Sequence, residues 1–209
     1  MISLYFGKPG CGKTTLMVAL ILRDLRKGKR VYCNVPLDIP GVIYVKNEWV
    51  GIYDISDGVL YMDEAACWVN SRNHKNFSLA LTQYINYHRH YNVDIHLFSQ
   101  RYNAVDLNIR SLVTSLYRVR RAWFGRTIAN RISYRLVIPD SGDRAGDIVE
   151  GYQLQNLFER LLDFILGYRI VIRRRKYYKY FDSWVRPPLP PLPDVCQVGY
   201  VDNLTIKGA

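Results

Sequence analysis

The stretch GKPGCGKTT, Gly7 to Thr15, fits the pattern G-x-x-x-x-G-K-[ST] (Walker A) with Gly7, Gly12, Lys13 and Thr14 at its constrained positions. Its flanks supply the context that such a loop needs. Ile2, Leu4, Tyr5 and Phe6 form a short apolar strand before it, and Leu16 to Leu22 is a mostly apolar helix start after it. Glycines let the backbone take positive φ and bring its N–H groups close to an oxyanion, while the helix N-terminus adds partial positive charge behind them. Gly7, Lys8, Pro9, Gly10, Cys11, Gly12, Lys13, Thr14 and Thr15 are therefore the expected nucleotide cradle. Lys13 is expected at the β- and γ-phosphates and the Thr14 hydroxyl at Mg²⁺, with Thr15 beside it toward the α-phosphate.

A phosphate loop alone binds; hydrolysis also needs a metal-holding carboxylate and a group that positions water. VLYMDE, Val59 to Glu64, offers both at the C-terminal end of a buried strand (Walker B), where ligands of parallel sheets collect. Asp63 is expected to hold Mg²⁺ through water and Glu64 to polarise the attacking water. Gln100, closing the apolar run VDIHLFSQ, is the candidate γ-phosphate sensor, so the expected catalytic set is Lys13, Asp63, Glu64 and Gln100, with Thr14 and Asp63 at the metal. Developing phosphoryl charge also calls for a cation delivered by a neighbouring subunit, for which Arg110, Arg101 and Arg89 are candidates. His88 and His90 are two apart, which on a helix points them away from each other and argues against a metal chelate.

Coarse patterning organises the chain around these motifs. The first helix stops at Gly28, Arg30 to Val35 reads as a strand ending at Pro36, and Leu37 to Asp57 reads as short β-like pieces and turns. Gly58 to Asp63 is a strand, Phe77 to His90 a helix with Leu81, Tyr84, Ile85 and His88 on one side, and Val93 to Gln100 another strand. This alternation predicts an α/β fold with a mainly parallel central sheet covered on both faces. From Val113 the character changes. Leu112 to Phe124 and Thr127 to Ile138 predict a hairpin about Gly125, PDSGDRAGD is a loop, Gln153 to Leu166 a helix, and strands follow near Tyr168 to Ile172 and Tyr177 to Trp184. RPPLPPLP, Arg186 to Pro193, reads as extended polyproline II, a stiff spacer or packed strap in preference to a recognition segment. The expected division is an NTPase core over 1–125, a β-rich basic extension over 126–185 that completes the domain, and a proline-rich tail over 186–209.

Charge is uneven along the chain. Residues 1–100 hold 11 Lys and Arg against 8 Asp and Glu, residues 101–209 hold 18 against 10, and the whole carries a formal +11. Arg173, Arg174, Arg175, Lys176 and Lys179, set among Tyr177, Tyr178 and Tyr180, form the densest patch. It suits single-stranded DNA or an anionic membrane surface, and equally the solvated face of an edge hairpin. Cys11, Cys33, Cys67 and Cys196 lie far apart, which suggests neither a zinc site nor a disulfide framework and points to a reducing cytosol. The apolar run Leu161 to Ile172 contains Asp163 and Arg169 and is too short to span a bilayer, so no transmembrane segment is expected.

The order of GKPGCGKTT, YMDEA at Tyr61 to Ala65, HRHYNVDIHLFSQ at His88 to Gln100 and NIRSLV at Asn108 to Val113 resembles the N-terminal ATPase domain of the zonular occludens toxin-like proteins, assembly ATPases of filamentous phages. YYKYFDSW resembles the tyrosine-rich strand that closes that domain, and the likeness covers roughly residues 1 to 184. The resemblance implies the additional-strand class of P-loop fold, action as a ring-shaped homo-oligomer, and a role in extruding or packaging phage DNA through the host envelope with phage or envelope assembly proteins. It carries over ATP and Mg²⁺ binding to Lys13 and Thr14, the acidic pair to Asp63 and Glu64, and the sensor to Gln100. Family members commonly continue into a transmembrane helix and an outer-facing domain. With neither here, the expectation is a cytoplasmic protein, peripheral at the inner face of the host membrane through a partner, or a soluble relative. The toxin activity in the family name is implied by none of these residues.

Two other readings remain open from the residues. One is a nucleotide-binding scaffold with slow hydrolysis that recruits a partner through PPLPPLP. The other is a small-molecule kinase, which wants an arginine-rich lid that the stretch between Glu64 and Gln100 lacks. No N-K-x-D guanine signature occurs, which favours ATP.

Overall fold

The computed structural model describes residues 1–65, 79–137, 149–153 and 169–181. β1 (Ile2–Phe6) runs into the glycine loop, which opens α1 (Lys13–Arg26). β2 (Arg30–Cys33), the short β3 (Val42–Tyr44), β4 (Gly58–Met62), α2 (Leu79–Asn86), β5 (Val93–Ser99), α3 (Leu107–Leu112) and β6 (Ser115–Ala122) follow. In space the strands lie in the order β3-β2-β4-β5-β1-β6, and every neighbouring pair is parallel. β5 is inserted between the loop strand β1 and the acidic strand β4, the arrangement of the additional-strand class of P-loop folds.

β7 (Arg126–Val137) returns antiparallel to β6 through Trp123, Phe124 and Gly125. Its outer edge pairs with β8 (Val149–Gln153) along Ser133–Val137 and with β9 (Ile170–Arg173) along Arg126–Ala129. The sheet therefore continues without a break across Gly125.

Period-two alternation in the central strands makes two cores, one on each face. Ile2, Leu4 and Phe6 of β1, Leu60 and Met62 of β4, and Ile95 and Leu97 of β5 pack with Leu81, Tyr84 and Ile85 of α2 and Ile109 of α3. Tyr5, Val59, Tyr61 and Phe98 face the other way, against Leu16, Met17, Leu20 and Ile21 of α1. On that second face a row of rings crosses the sheet. Tyr61 stacks on His96 at 4.8 Å, His96 meets Tyr5 at 5.8 Å, and Tyr5 stacks on Tyr117 at 4.8 Å. Above the row the Tyr61 hydroxyl donates to the buried Asp24 carboxylate of α1.

Most predicted elements are present with shifted ends. α2 stops at Asn86 and the chain turns through Tyr87 to Asn92, with the predicted apolar side of Leu81, Tyr84, Ile85 and His88 buried. Leu112 belongs to α3 and not to the hairpin. The predicted strand from Tyr177 is absent over the described residues; 3₁₀ turns occupy Arg174–Lys176 and Tyr178–Tyr180 instead. The register explains this, because Arg173 pairs with Arg126, the first residue of β7, and the Trp123–Gly125 turn before it offers no strand to continue the ladder. The basic patch is accordingly not an alternating edge hairpin: Arg174 is buried while Arg173, Arg175 and Lys176 are exposed. The predicted loop over 139–147, the helix after Gln153, residues 182–184 and the proline-rich tail lie outside the described residues.

His96 gives this core a pH dependence. Burial drives its pKa from 6.5 down to about 4. Between those values the unfolded chain binds a proton that the folded chain excludes, so stability falls as pH drops from 6.5 toward about 4, on the order of 3 kcal/mol in all. Denaturant titrations across that window should show the loss, and His96→Phe should remove most of it. His88, also held low by burial, acts in the same direction. An unchanged slope in His96→Phe would contradict a buried neutral imidazole.

Candidate nucleotide-binding site

The glycine loop sits at the C-terminal edge of the parallel strands, clamped between its neighbours. Gly7 donates its N–H to the Ser99 carbonyl of β5 at 3.2 Å. On the other side, a Cβ at Gly7 would come within 2.3 Å of the Val119 carbonyl of β6, so only glycine fits. Gly12 has φ +95°, and a Cβ there would lie 2.2 Å from the Thr127 hydroxyl of β7. That hydroxyl donates to the Cys11 carbonyl at 3.0 Å and is fully buried. Lys13 closes the loop on itself, its Nζ donating to the carbonyls of Gly7 at 2.8 Å and Lys8 at 3.3 Å.

The acidic end of β4 meets the start of α1 across β5. The Thr14 hydroxyl donates to Asp63 Oδ2 at 2.8 Å, and the Glu64 N–H donates to Asp63 Oδ1 at 2.9 Å. Asn34, the residue after β2, holds the same carboxylate residue by its backbone: the Asp63 N–H donates to Asn34 Oδ1 at 2.7 Å and Asn34 Nδ2 donates to the Asp63 carbonyl at 3.0 Å. Burial pushes the Asp63 carboxyl above its ordinary value, opposed by the Thr14 hydroxyl, the Glu64 N–H and the Lys13 ammonium. Glu64 is exposed and has φ +50°, a left-handed conformation that a glutamate rarely adopts outside a constrained turn.

Gln100 is exposed just past β5. It lines an open cleft of about 680 Å³ with Gly7 to Cys11, Arg101, Arg118, Arg120 and Arg121. Of the arginines considered in trans, Arg101 lies in this cleft and Arg110 of α3 stacks on the Tyr102 ring at 5.0 Å. Arg89 lies at the opposite end of the sheet, beside Met1, Arg30 and Gly58 where strands begin. The loop residues, Thr14 and Asp63 thus converge, Gln100 borders them, and Arg89 does not. Asn34, Thr127 and the buried Arg174 were not singled out for the site from the sequence. Among the described residues no cluster of His, Cys, Asp or Glu could by itself hold a metal.

The donor set fits a magnesium nucleotide. A hard cation wants oxygen ligands, which the Thr14 hydroxyl and Asp63 carboxylate supply 2.8 Å apart, and the glycine conformations open the loop's N–H groups. Fold and loop together define a P-loop NTPase. A family model described as Zonular occludens toxin (Zot) matches residues 42–156, more than half of the chain, and the protein belongs to that family. The matched stretch contains Asp63, Glu64 and Gln100 and begins after the glycine loop.

Among solved structures, the N-terminal domain of zonular occludens toxin from Neisseria meningitidis is 22% identical, with 75% of this chain and 94% of that one covered and a TM-score of 0.46. The genome packaging NTPase B204 from Sulfolobus turreted icosahedral virus 2, in complex with AMPPCP, is 14% identical (56% of this chain, 74% of that one, TM-score 0.45). The flagellar accessory protein FlaH from Methanocaldococcus jannaschii is 13% identical (62% and 76%, TM-score 0.42). No curated protein matches the chain in sequence.

Asn34→Ala removes both bonds that tie Asp63 to the end of β2. It should lower unfolding free energy by about 1–3 kcal/mol with secondary structure by circular dichroism intact. A wild-type denaturation midpoint would contradict the positioning role.

Proposed function

We propose that this protein is an ATP hydrolase whose turnover drives assembly or extrusion of a filamentous phage, or translocation of its DNA. The observation that carries the reading is the Thr14–Asp63 hydrogen bond, which joins the glycine loop to the acidic strand with the sensor strand between them. Lys13 would leave its carbonyl contacts for the β- and γ-phosphates, and the loop N–H groups would take the remaining charge. Thr14 and Asp63 would hold Mg²⁺, which when bound neutralises phosphate charge. Glu64 would accept a proton from the attacking water as its oxygen joins the γ-phosphorus and the β–γ bridging oxygen leaves with ADP. Gln100, bordering the loop in the cleft, would sense the γ-phosphate.

A ring of copies would let a neighbour add a cation, for which Arg110, Arg101 and Arg89 remain the candidates. The rest of the surface supports a polyanionic partner, single-stranded DNA or an anionic membrane face. Trp123 and Phe124, 86% and 91% exposed, form the tip of the β6–β7 hairpin beside Arg120, Arg121 and Arg126, while Arg173, paired with Arg126, and the following Arg175 and Lys176 are exposed close to that tip. Among the described residues no helix is long and apolar enough to cross a membrane. Phage or envelope assembly proteins at the inner face of the host membrane are the partners this reading calls for.

Phosphate release with and without single-stranded DNA tests the reading. Glu64→Gln should bind ATP like wild type yet lower kcat on the order of 10²–10⁴-fold, while Lys13→Ala should lose binding. Full activity in Glu64→Gln would overturn the assignment, and DNA-independent transfer to a small acceptor would favour a kinase. Binding to single-stranded DNA or to anionic vesicles should weaken steeply with salt and with neutralisation of Arg173, Arg175 and Lys176; salt-insensitive binding would remove the polyanion partner.

A further inference from the structure

Arg174 is a buried cation that no described acidic side chain neutralises. It is 9% exposed, its Nε is enclosed without a hydrogen-bond partner, and it forms no ion pair among the described residues. A guanidinium cannot shed its proton inside a protein, so such burial is costly unless an anion meets it. Its stem lies against the glycine loop: a Cβ at Gly12 would come within 3.0 Å of Arg174 Cδ. Its charge reaches the loop as well, lowering the Cys11 thiol against the larger upward effect of burial. The main chain is fixed there, the Arg174 N–H donating to the Gly125 carbonyl at 2.9 Å and the Tyr177 N–H donating to the Arg174 carbonyl at 2.9 Å.

Strand order tells which part of a nucleotide this cation would meet. The acidic pair follows β4, two places from β1 on one side, whereas Arg174 follows β9, which pairs with β7, two places from β1 on the other. A triphosphate whose metal-bearing end lies at Thr14 and Asp63 must leave the loop toward β6 and β7. Its nucleoside-proximal phosphate is then the anion nearest Arg174. We propose that Arg174 is a nucleotide-binding residue that pairs in cis with the α-phosphate, so that residues beyond the hairpin complete the phosphate site. This rests on the nucleotide-binding reading above.

The test compares wild type, Arg174→Met and Arg174→Lys in the full chain, by calorimetric titration with Mg-ATP and Mg-ADP and by thermal melting with and without Mg-ADP. Losing a charge-assisted pair should weaken ATP and ADP by the same factor, on the order of 10- to 100-fold, and Lys should recover part of it. Without nucleotide, Arg174→Met should melt at or above the wild-type temperature, because an unpaired buried charge has been replaced by an apolar side chain of similar length. Its melting gain with Mg-ADP should shrink. Wild-type ADP affinity in Arg174→Met overturns the proposal, as does a loss confined to ATP, which would put the arginine at the γ-phosphate. A variant that melts lower without nucleotide yet binds normally when folded would make Arg174 a structural strut, also against the proposal. If wild type itself binds neither nucleotide, the nucleotide-binding reading fails along with it.

Discussion

The position of one hydroxyl organises this molecule. Thr14 stands in the first turn of α1 and Asp63 just beyond β4, strands whose ends are separated by β5 and so by about 10 Å of sheet. Their 2.8 Å hydrogen bond spans that gap and fixes the loop that precedes α1 relative to the acids that follow β4. For the bond to form, α1 must lie across the sheet as it does, with Leu16, Met17, Leu20 and Ile21 on the ring row beneath and Asp24 over Tyr61. The second core on the opposite face holds β4 and β5 in register so that Met62 and Ser99 end at the same edge. Both cores serve the placement of a few polar atoms.

The other side of the loop is held as firmly, and by residues far away in sequence. Val119 backs Gly7, Thr127 holds Cys11 and crowds Gly12, and Arg174 lies along Gly12. Strands beyond β6 are thus the rear wall of the glycine loop. From Arg174 the chain passes over the α1 face, where Tyr177, Tyr180 and Phe181 pack on the second core, and the Asp38 N–H donates to the Tyr180 carbonyl at 3.1 Å. The loop and Thr14 are therefore enclosed by contacts whose partners range from residue 63 to residue 174, and their geometry depends on the whole sheet being formed.

Much of this was legible beforehand, for physical reasons. The glycine loop, the apolar strand before it and the carboxylates after VLYM are local patterns whose chemistry restricts what they can be, and α1 ends at Arg26, with Gly28 at positive φ two residues beyond it, close to the predicted stop. The apolar runs Ile2 to Phe6 and Val93 to Gln100 announced strands, and their alternation with helices announced a sheet covered on both faces. What escaped was non-local. Asn34 carries no motif, and its value comes from β2 lying beside β4, which brings a side chain 29 positions away to the backbone of Asp63. Thr127 and Arg174 look like hairpin and surface-patch residues until the strand order folds them behind the loop. The expected strand after Tyr177 failed because β propensity in a tyrosine-rich run cannot supply a partner edge, and β7 begins where β9 ends.

The account stands or falls on where a nucleotide lies. A crystal structure with magnesium and a non-hydrolysable ATP analogue should show the triphosphate wrapped by Gly7 to Thr15. It should also show Lys13 Nζ moved from the Gly7 carbonyl to the outer phosphates, and Thr14 and Asp63 at the metal with Glu64 facing the terminal phosphorus. A loop that keeps its Lys13–Gly7 contact and excludes the analogue, or a triphosphate bound with its terminal phosphorus remote from Asp63 and Glu64, would contradict it.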